Sequence, residues 1–202
     1  MGFYERRVFP HLLDLAMRGM NPLRAEALAA ASGEVLEIGF GTGLNLAFYP
    51  RAVKRLHALD PADVLRERVE ARIAAAPFPV VRHQLRADGR LPFENASFDC
   101  VALTFTLCTI PDTAAALAEI RRVLKPGSPF LFLEHGRSDA PRTARLQDLL
   151  NPLQNRIAGG CNLNRKVDER ICAAGFRLYE LTRFRARGPR FLTEMYRGVA
   201  RI

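Results

Sequence analysis

Apolar positions along this chain switch repeatedly between helical and strand spacing. Phe9, Leu12, Leu13, Ala16, Met17 and Met20 recur at helical intervals, with Pro10 acceptable in a first turn, so the chain opens on a short amphipathic helix. Asn21 followed by Pro22 reads as the cap and first position of a second helix, filled by 24–31 and ended by Gly33. The apolar run Val35-Leu36-Glu37-Ile38 predicts a strand that enters a glycine-rich turn and then a helix over 44–49, stopped by Pro50. Further strands are expected over 55–60, 80–83, 100–107 and 129–133, and helices over 63–75, 113–124, 141–157 and 166–174. Asp112 caps the helix at 113, and Lys125-Pro126-Gly127 closes it. The nearly unbroken apolar run 100–107 is what a central parallel strand covered on both faces requires. Residues 176–184 and 191–201 alternate around Gly188-Pro189 as an antiparallel hairpin. Strand and helix alternation followed by a hairpin predicts one doubly wound α/β domain over 34–202, with helices over 1–33 capping the sheet.

Chemistry concentrates at the turn Gly39-Phe40-Gly41-Thr42-Gly43. Three glycines in five residues bare the backbone N-H groups at the following helix's N-terminus, where a ligand can lie against the main chain. A dinucleotide turn has the spacing G-x-G-x-x-G, and here the third glycine comes one residue early. No Lys-Ser/Thr follows, so this is not a phosphate-gripping loop. Asp60, at the end of the next strand, stands within the ~20-residue distance at which a doubly wound fold offers a carboxylate to ribose hydroxyls. An ionised carboxylate can accept from two vicinal O-H groups, although Asp60-Pro61 is also a common helix start.

Composition changes the picture little. The chain has 202 residues, 49% apolar and 25% charged, which suits one globular domain. No apolar run reaches the ~20 residues of a membrane-spanning helix, and the start, Met1 to Arg7, leads into no signal-peptide core, so the sequence places the protein in the cytoplasm. The net charge of +9 invites a nucleic-acid reading, but the arginines are dispersed through the helices. A basic block stands out towards the C-terminus, where Arg177, Arg183, Arg185, Arg187, Arg190, Arg197 and Arg201 face only Glu180 and Glu194 and read as a solvated hairpin rim. Cysteines 100, 108, 161 and 172 have no metal-ligand spacing and read as reduced thiols.

The form Glu37-x-Gly39-x-Gly41-x-Gly43 resembles the first motif of the class I S-adenosylmethionine (SAM) methyltransferases. The resemblance extends over Asn45 to Pro50, Thr106 to Asp112, Arg122 to Gly127, Glu134-His135 and Gly160-Cys161-Asn162-Leu163 with Arg165. These segments are similar to the thiol methyltransferases and the ubiquinone/menaquinone-type group, the first more closely. The chain lacks the hydrophobic N-terminal anchor of membrane-bound members and has Ser128 where the family often has a second glycine. The resemblance implies SAM as cofactor. It implies that Gly39, Gly41 and Gly43, with Asn45 beside them, line its methionine side, and that Glu37 braces the turn or meets the amino group. Asp60 would take the ribose, Asp88 the adenine amine, Gly89 the ring by backbone contact, and the backbone of Leu107 would lie near the cofactor. Asp88-Gly89 is otherwise an ordinary solvated turn.

A sulfonium is already an activated methyl donor, so such an enzyme aligns an acceptor and excludes water. A thiol needs only a modest push to its thiolate, and His135, after the fifth strand, is the candidate proton acceptor. A histidine satisfied by backbone hydrogen bonds is the competing reading; His11 is a weaker candidate, and Cys161 reads as a buried inert thiol. No Asn/Asp-Pro-Pro-Tyr motif or Pro-Cys pair suggests a nucleobase acceptor, which leaves small molecules or lipids and disfavours nucleic acid. A phospholipid headgroup amine is the enzymatic alternative, with the first helix packing on the sheet, closing over the cofactor or lying on a membrane. A SAM-binding protein without turnover, or a basic nucleic-acid-binding module on this fold, are the non-enzymatic ones.

Overall fold

The computed structural model describes residues 9–202, so the reading of Met1 to Arg7 lies outside the described residues. Seven strands form one sheet in the order β3-β2-β1-β4-β5-β7-β6. They are β1 Gly33–Ile38, β2 Val53–Leu59, β3 Val80–His83, β4 Cys100–Thr104, β5 Phe130–His135, β6 Arg177–Arg185 and β7 Glu194–Arg201. The first five pair in parallel, and β7 inserts antiparallel between β5 and β6. The doubly wound sheet with a terminal antiparallel pair is therefore as expected. The chain reverses its direction of growth between β1 and β4, and the crevice outside the carboxyl ends of those strands is where such sheets bind ligands.

Side-chain alternation along the central strands divides the core in two. Leu36, Ile38, Val101, Leu103, Phe130 and Phe132 pack with Ala116, Leu117, Ile120 and Val123 of α4 (Thr113–Val123) and Val167 and Ile171 of α6 (Val167–Ala173). Val35, Cys100, Ala102 and Leu131 face the other side, towards Leu28 of α2 (Asn21–Leu28) and Val69 of α3 (Arg66–Ala74). Strands buried on both faces have no polar surface to present, which is why β4 is apolar nearly throughout. Edge strand β6 is exposed and charged, which discourages pairing with another chain.

Several boundaries differ from the sequence reading. Asn21 is not a cap: it has helical dihedrals inside α2, and its Oδ1 finds no partner among the described residues. Gly33 does not end that helix but opens β1 in a left-handed conformation (φ +69°). Residues Leu44–Phe48 form a 3-10 helix, too short for an α-helix once Pro50 follows. Helix α3 starts at Arg66, three residues late, after Leu65 adopts a positive φ. Strand β4 stops at Thr104, because Phe105 turns to φ +53°. The first helix, α1, is Phe9–Met17, continued by a 3-10 turn Arg18–Met20, and α5 is Pro141–Ile157.

Candidate active site

The glycine turn begins where β1 ends, and Gly39, Gly41 and Gly43 all have left-handed φ values (+76°, +56° and +76°). A Cβ at Gly39 would stand 1.9 Å from the Thr106 hydroxyl, so glycine there lets the turn close against the end of β4. A Cβ at Gly41 would meet nothing nearer than a carbonyl at 4.0 Å, so the space beside the turn is open, but the N-H groups expected to be bare are bonded within the fold: Gly39 donates to the Leu59 carbonyl (2.8 Å) and Gly43 to that of Phe40 (2.9 Å). The N-H of Gly41 donates to Asp60 Oδ2 (2.8 Å) and that of Ala62 to Oδ1 (2.8 Å). Burial raises the Asp60 pKa against these two hydrogen bonds. Each oxygen keeps a lone pair for a hydroxyl, so turn and carboxylate fit the ribose and methionine parts of SAM.

Behind the turn, Glu37 sits in a buried polar network. Asn45 Nδ2 donates to its Oε1 and Tyr49 Oη to its Oε2, each at 2.9 Å. Arg24, from α2, donates to Asn45 Oδ1 (2.7 Å) and Thr104 Oγ1 (2.8 Å). Burial pushes the Glu37 carboxyl up to about 7, although Tyr49, Asn45 and the Arg24 charge all oppose the shift. Of the two expected roles, this geometry supports bracing: both oxygens and Asn45 are engaged inward.

Helix α1 folds onto the same turn. Asp14 Oδ1 accepts from Thr42 Oγ1 (2.6 Å) and from Arg72 (2.7 Å), and Oδ2 accepts from Arg68 (2.9 Å). Burial alone would raise the Asp14 pKa; the bonds from Arg72 and Thr42 and the Arg68 charge hold it far below the usual carboxylate range. Leu12, Leu13 and Leu15 on this helix remain exposed. A depression of about 530 Å³ beside Gly43, Tyr49 and Arg72 lies off this crevice, touching none of Asp60, Asp88 or Leu107.

Asp88 is less committed to the cluster than expected. It forms a bidentate ion pair with Arg86 (2.9 and 2.7 Å), which lowers its pKa, and receives a long contact from the Asp112 N-H (3.5 Å). Gly89 beside it is exposed. Leu107 is buried with both backbone groups occupied: its N-H donates to Glu134 Oε1 (3.0 Å) and its carbonyl accepts from Arg165. The positive φ at Phe105 turns the chain so that the Thr106 N-H also meets Glu134 Oε1 (2.5 Å). Such strain persists only where surrounding contacts overdetermine it, here a fully buried carboxyl pushed up to about 7 by burial.

On the β4–β5 side the structure assembles a group that sequence spacing hid. Cys108, four residues past β4, His135, at the end of β5, and Cys161, in the loop after α5, bring their ligand atoms within 4.8 Å of one another. His135 Nε2 lies 3.1 Å from Cys161 Sγ. Hydrogen bonding with Cys108 and the His135 ring lowers the pKa of the Cys161 thiol against the burial that raises it. Cys108 is pushed up by that same pairing and by burial. At His135 burial lowers the pKa, but the Cys161 sulfur and Glu134 outweigh it, so the ring is raised. The signal that could have found this group is topological: each residue follows a strand end or loop on the carboxyl edge of the sheet.

A family described as "Methyltransferase domain" matches residues 36–132. Human Thiol S-methyltransferase TMT1A is 30% identical over 166 residues, which are 80% of this chain and 68% of that protein. The chain belongs to the class I SAM-dependent methyltransferases. Rat Thiol S-methyltransferase TMT1B is 32% identical over 154 residues, 74% of this chain and 63% of the relative, so the match stops short of two thirds of that methyltransferase. An S-adenosylmethionine-dependent methyltransferase of Mesorhizobium loti shares the methyltransferase fold, with a TM-score of 0.64 at 16% identity, over 91% of this chain and 98% of the other. The cofactor of this methyltransferase is SAM. No helix among the described residues is long and apolar enough to cross a membrane.

Proposed function

We propose that this methyltransferase methylates the sulfur of a small thiol. The observation that carries the proposal is the length of the likeness to a thiol S-methyltransferase: its 166 residues exceed the shared domain at 36–132, so it continues into chain outside that domain. SAM supplies an activated methyl group, and the chain's own residues supply position. Asp60 takes the ribose hydroxyls, Asp88 the adenine amine, and the side-chain-free surface of Gly39, Gly41 and Gly43 the methionine end. Glu37 and Asn45 hold the turn from behind. Leu107 contributes a wall, since its backbone groups are already bonded. A thiol with pKa near ~8.5 needs little help to ionise, and His135 serves as its proton acceptor together with Cys161, which holds the ring. We place the enzyme in the cytoplasm, where cysteines 100, 108, 161 and 172 stay reduced, and read its partner as a small molecule in preference to nucleic acid.

A phospholipid amine is the second reading, favoured by exposed Leu12, Leu13 and Leu15 on the helix that closes over the glycine turn. Methyl transfer from labelled SAM to a small alkyl thiol and, in parallel, to phosphatidylethanolamine vesicles separates the two. Label on the thiol, lost by at least ~100-fold in Asp60→Ala with the fold intact, is expected. Label on lipid alone moves the acceptor to the membrane surface, and label on neither while SAM binds removes both acceptors.

A further inference from the structure

The cofactor site does not consume the cluster of Cys108, His135 and Cys161. Two thiols and an imidazole, from three separate parts of the chain, meet beside the β1–β4 crevice. Cys108 is two residues from Thr106, whose hydroxyl reaches the Gly39 carbonyl (3.5 Å). The loop carrying Cys161 is pinned to the same place: the N-H and the side-chain amide of Asn162 both donate to the Cys108 carbonyl (3.0 and 2.9 Å). Arg165 donates to the carbonyls of Leu107 and Ile110 (2.7 Å to the latter). A Cβ on Gly136, next to His135, would come within 2.5 Å of the Arg165 carbonyl, so this packing leaves no slack. Yet the polar surroundings are incomplete, because His135 Nδ1 and Glu134 Oε2 are buried without a partner among the described residues.

We propose that Cys108, His135 and Cys161 form a Cys2His zinc site whose open fourth position receives the acceptor sulfur. Tetrahedral zinc with sulfur at ~2.3 Å and nitrogen at ~2.0 Å sets its ligand atoms about 3.5–3.8 Å apart, and three such atoms already lie within 4.8 Å. Soft thiolates with one imidazole select zinc over magnesium or calcium, and three protein ligands with one vacancy is the arrangement of a catalytic site. The Gln154 amide approaches Cys161 Sγ at 3.8 Å, the kind of outer contact that orients a metal-bound thiolate. Two thiolates neutralise the dication, so an incoming third thiolate keeps its nucleophilicity. With His135 ligating the metal in place of its role as proton acceptor, the acceptor thiol loses its proton to water as its sulfur binds. The electron pair of that sulfur forms the new bond to methyl while the sulfonium carbon–sulfur bond breaks, and the neutral thioether then leaves the metal with no net oxidation or reduction.

The zinc site rests on the thiol reading, and its test separates the two. The reduced full chain, stripped of metal, is titrated with zinc against a competing chelator and with cobalt(II), alongside Cys108→Ser, Cys161→Ser, His135→Gln and, as a control outside the cluster, Cys172→Ser. About one equivalent of zinc, thiolate-to-cobalt charge-transfer bands, and affinity weakened more than ~100-fold in the three cluster variants but not in the control are expected. Melting curves and SAM binding identify variants that have merely unfolded. Less than ~0.1 equivalent of zinc on folded wild type, or equal zinc affinity in the folded cluster variants, overturns the site. Thiol methylated equally well by zinc-free and zinc-loaded enzyme overturns the fourth-ligand role while leaving the thiol reading intact. Zinc held by the three residues with no thiol turned over removes the thiol reading and the fourth-ligand role with it.

Discussion

The carboxyl edge of the sheet carries two buried polar groups that behave oppositely. On the β1 side, Glu37, Asn45, Tyr49, Thr104 and Arg24 bond one another and both Glu37 oxygens are used, with only Arg24 Nε left without a partner among the described residues. On the β4–β5 side, Glu134 uses one oxygen and leaves the other bare, and His135 leaves Nδ1 bare beside two cysteines. Burying a polar group without a partner costs about 1–3 kcal/mol, so the first arrangement is built for rigidity and the second retains capacity for a ligand.

The comparison breaks most severely at Arg24. Replacing it with Met leaves Glu37 without its cation and Asn45 Oδ1 without a donor, and removing one partner of a buried charged network costs ~3–5 kcal/mol. The denaturation midpoint of Arg24→Met should fall accordingly with an unchanged slope; a shift below ~1 kcal/mol would show that the network is not bracing anything.

Acid titration sharpens the contrast. Glu37 and Glu134 hold their protons to about 7 when folded, against 4.5 in the free side chain. Between those values the unfolded chain binds fewer protons, so their contribution makes stability decline as pH rises from about 4.5, levelling off above about 7. Each carboxyl accounts for on the order of 3 kcal/mol of that decline. Glu37→Gln should remove its share while leaving that of Glu134, read as melting temperature against pH; an unchanged slope would place the titration elsewhere.

The smallest effect is expected at Asp88. Its carboxylate is already paired with Arg86, an exposed side chain, so Asp88→Asn should weaken SAM affinity by less than ~10-fold, against the far larger loss at Asp60. Equal losses at the two positions, measured by calorimetry, would mean that the ion pair with Arg86 opens when SAM binds.

Much of the site was legible because it is local. The glycine spacing, the acid before it and Asp60 at the next strand end depend on strand–turn–strand geometry that short-range pattern sets. What was misread depended on neighbours far along the chain. Asn21 and Pro22 look like a helix start, yet the chain arrives already helical from the preceding turn. Residues 105–107 look like strand, yet Glu134, from β5, captures the N-H groups of Thr106 and Leu107 and bends the chain away.

By itself the sequence determined the alternation of strand and helix, the tight left-handed glycine turn and the placing of acids at strand ends, because periodicity and backbone sterics act within a few residues. Only the tertiary structure decided that Glu37 faces inward, that Asp14 closes the first helix over Thr42, and that Cys108, His135 and Cys161 meet. The last two residues lie 27 and 53 positions from the first along the chain; only the parallel pairing of β4 with β5 and the loop pinned across them bring three such distant side chains together.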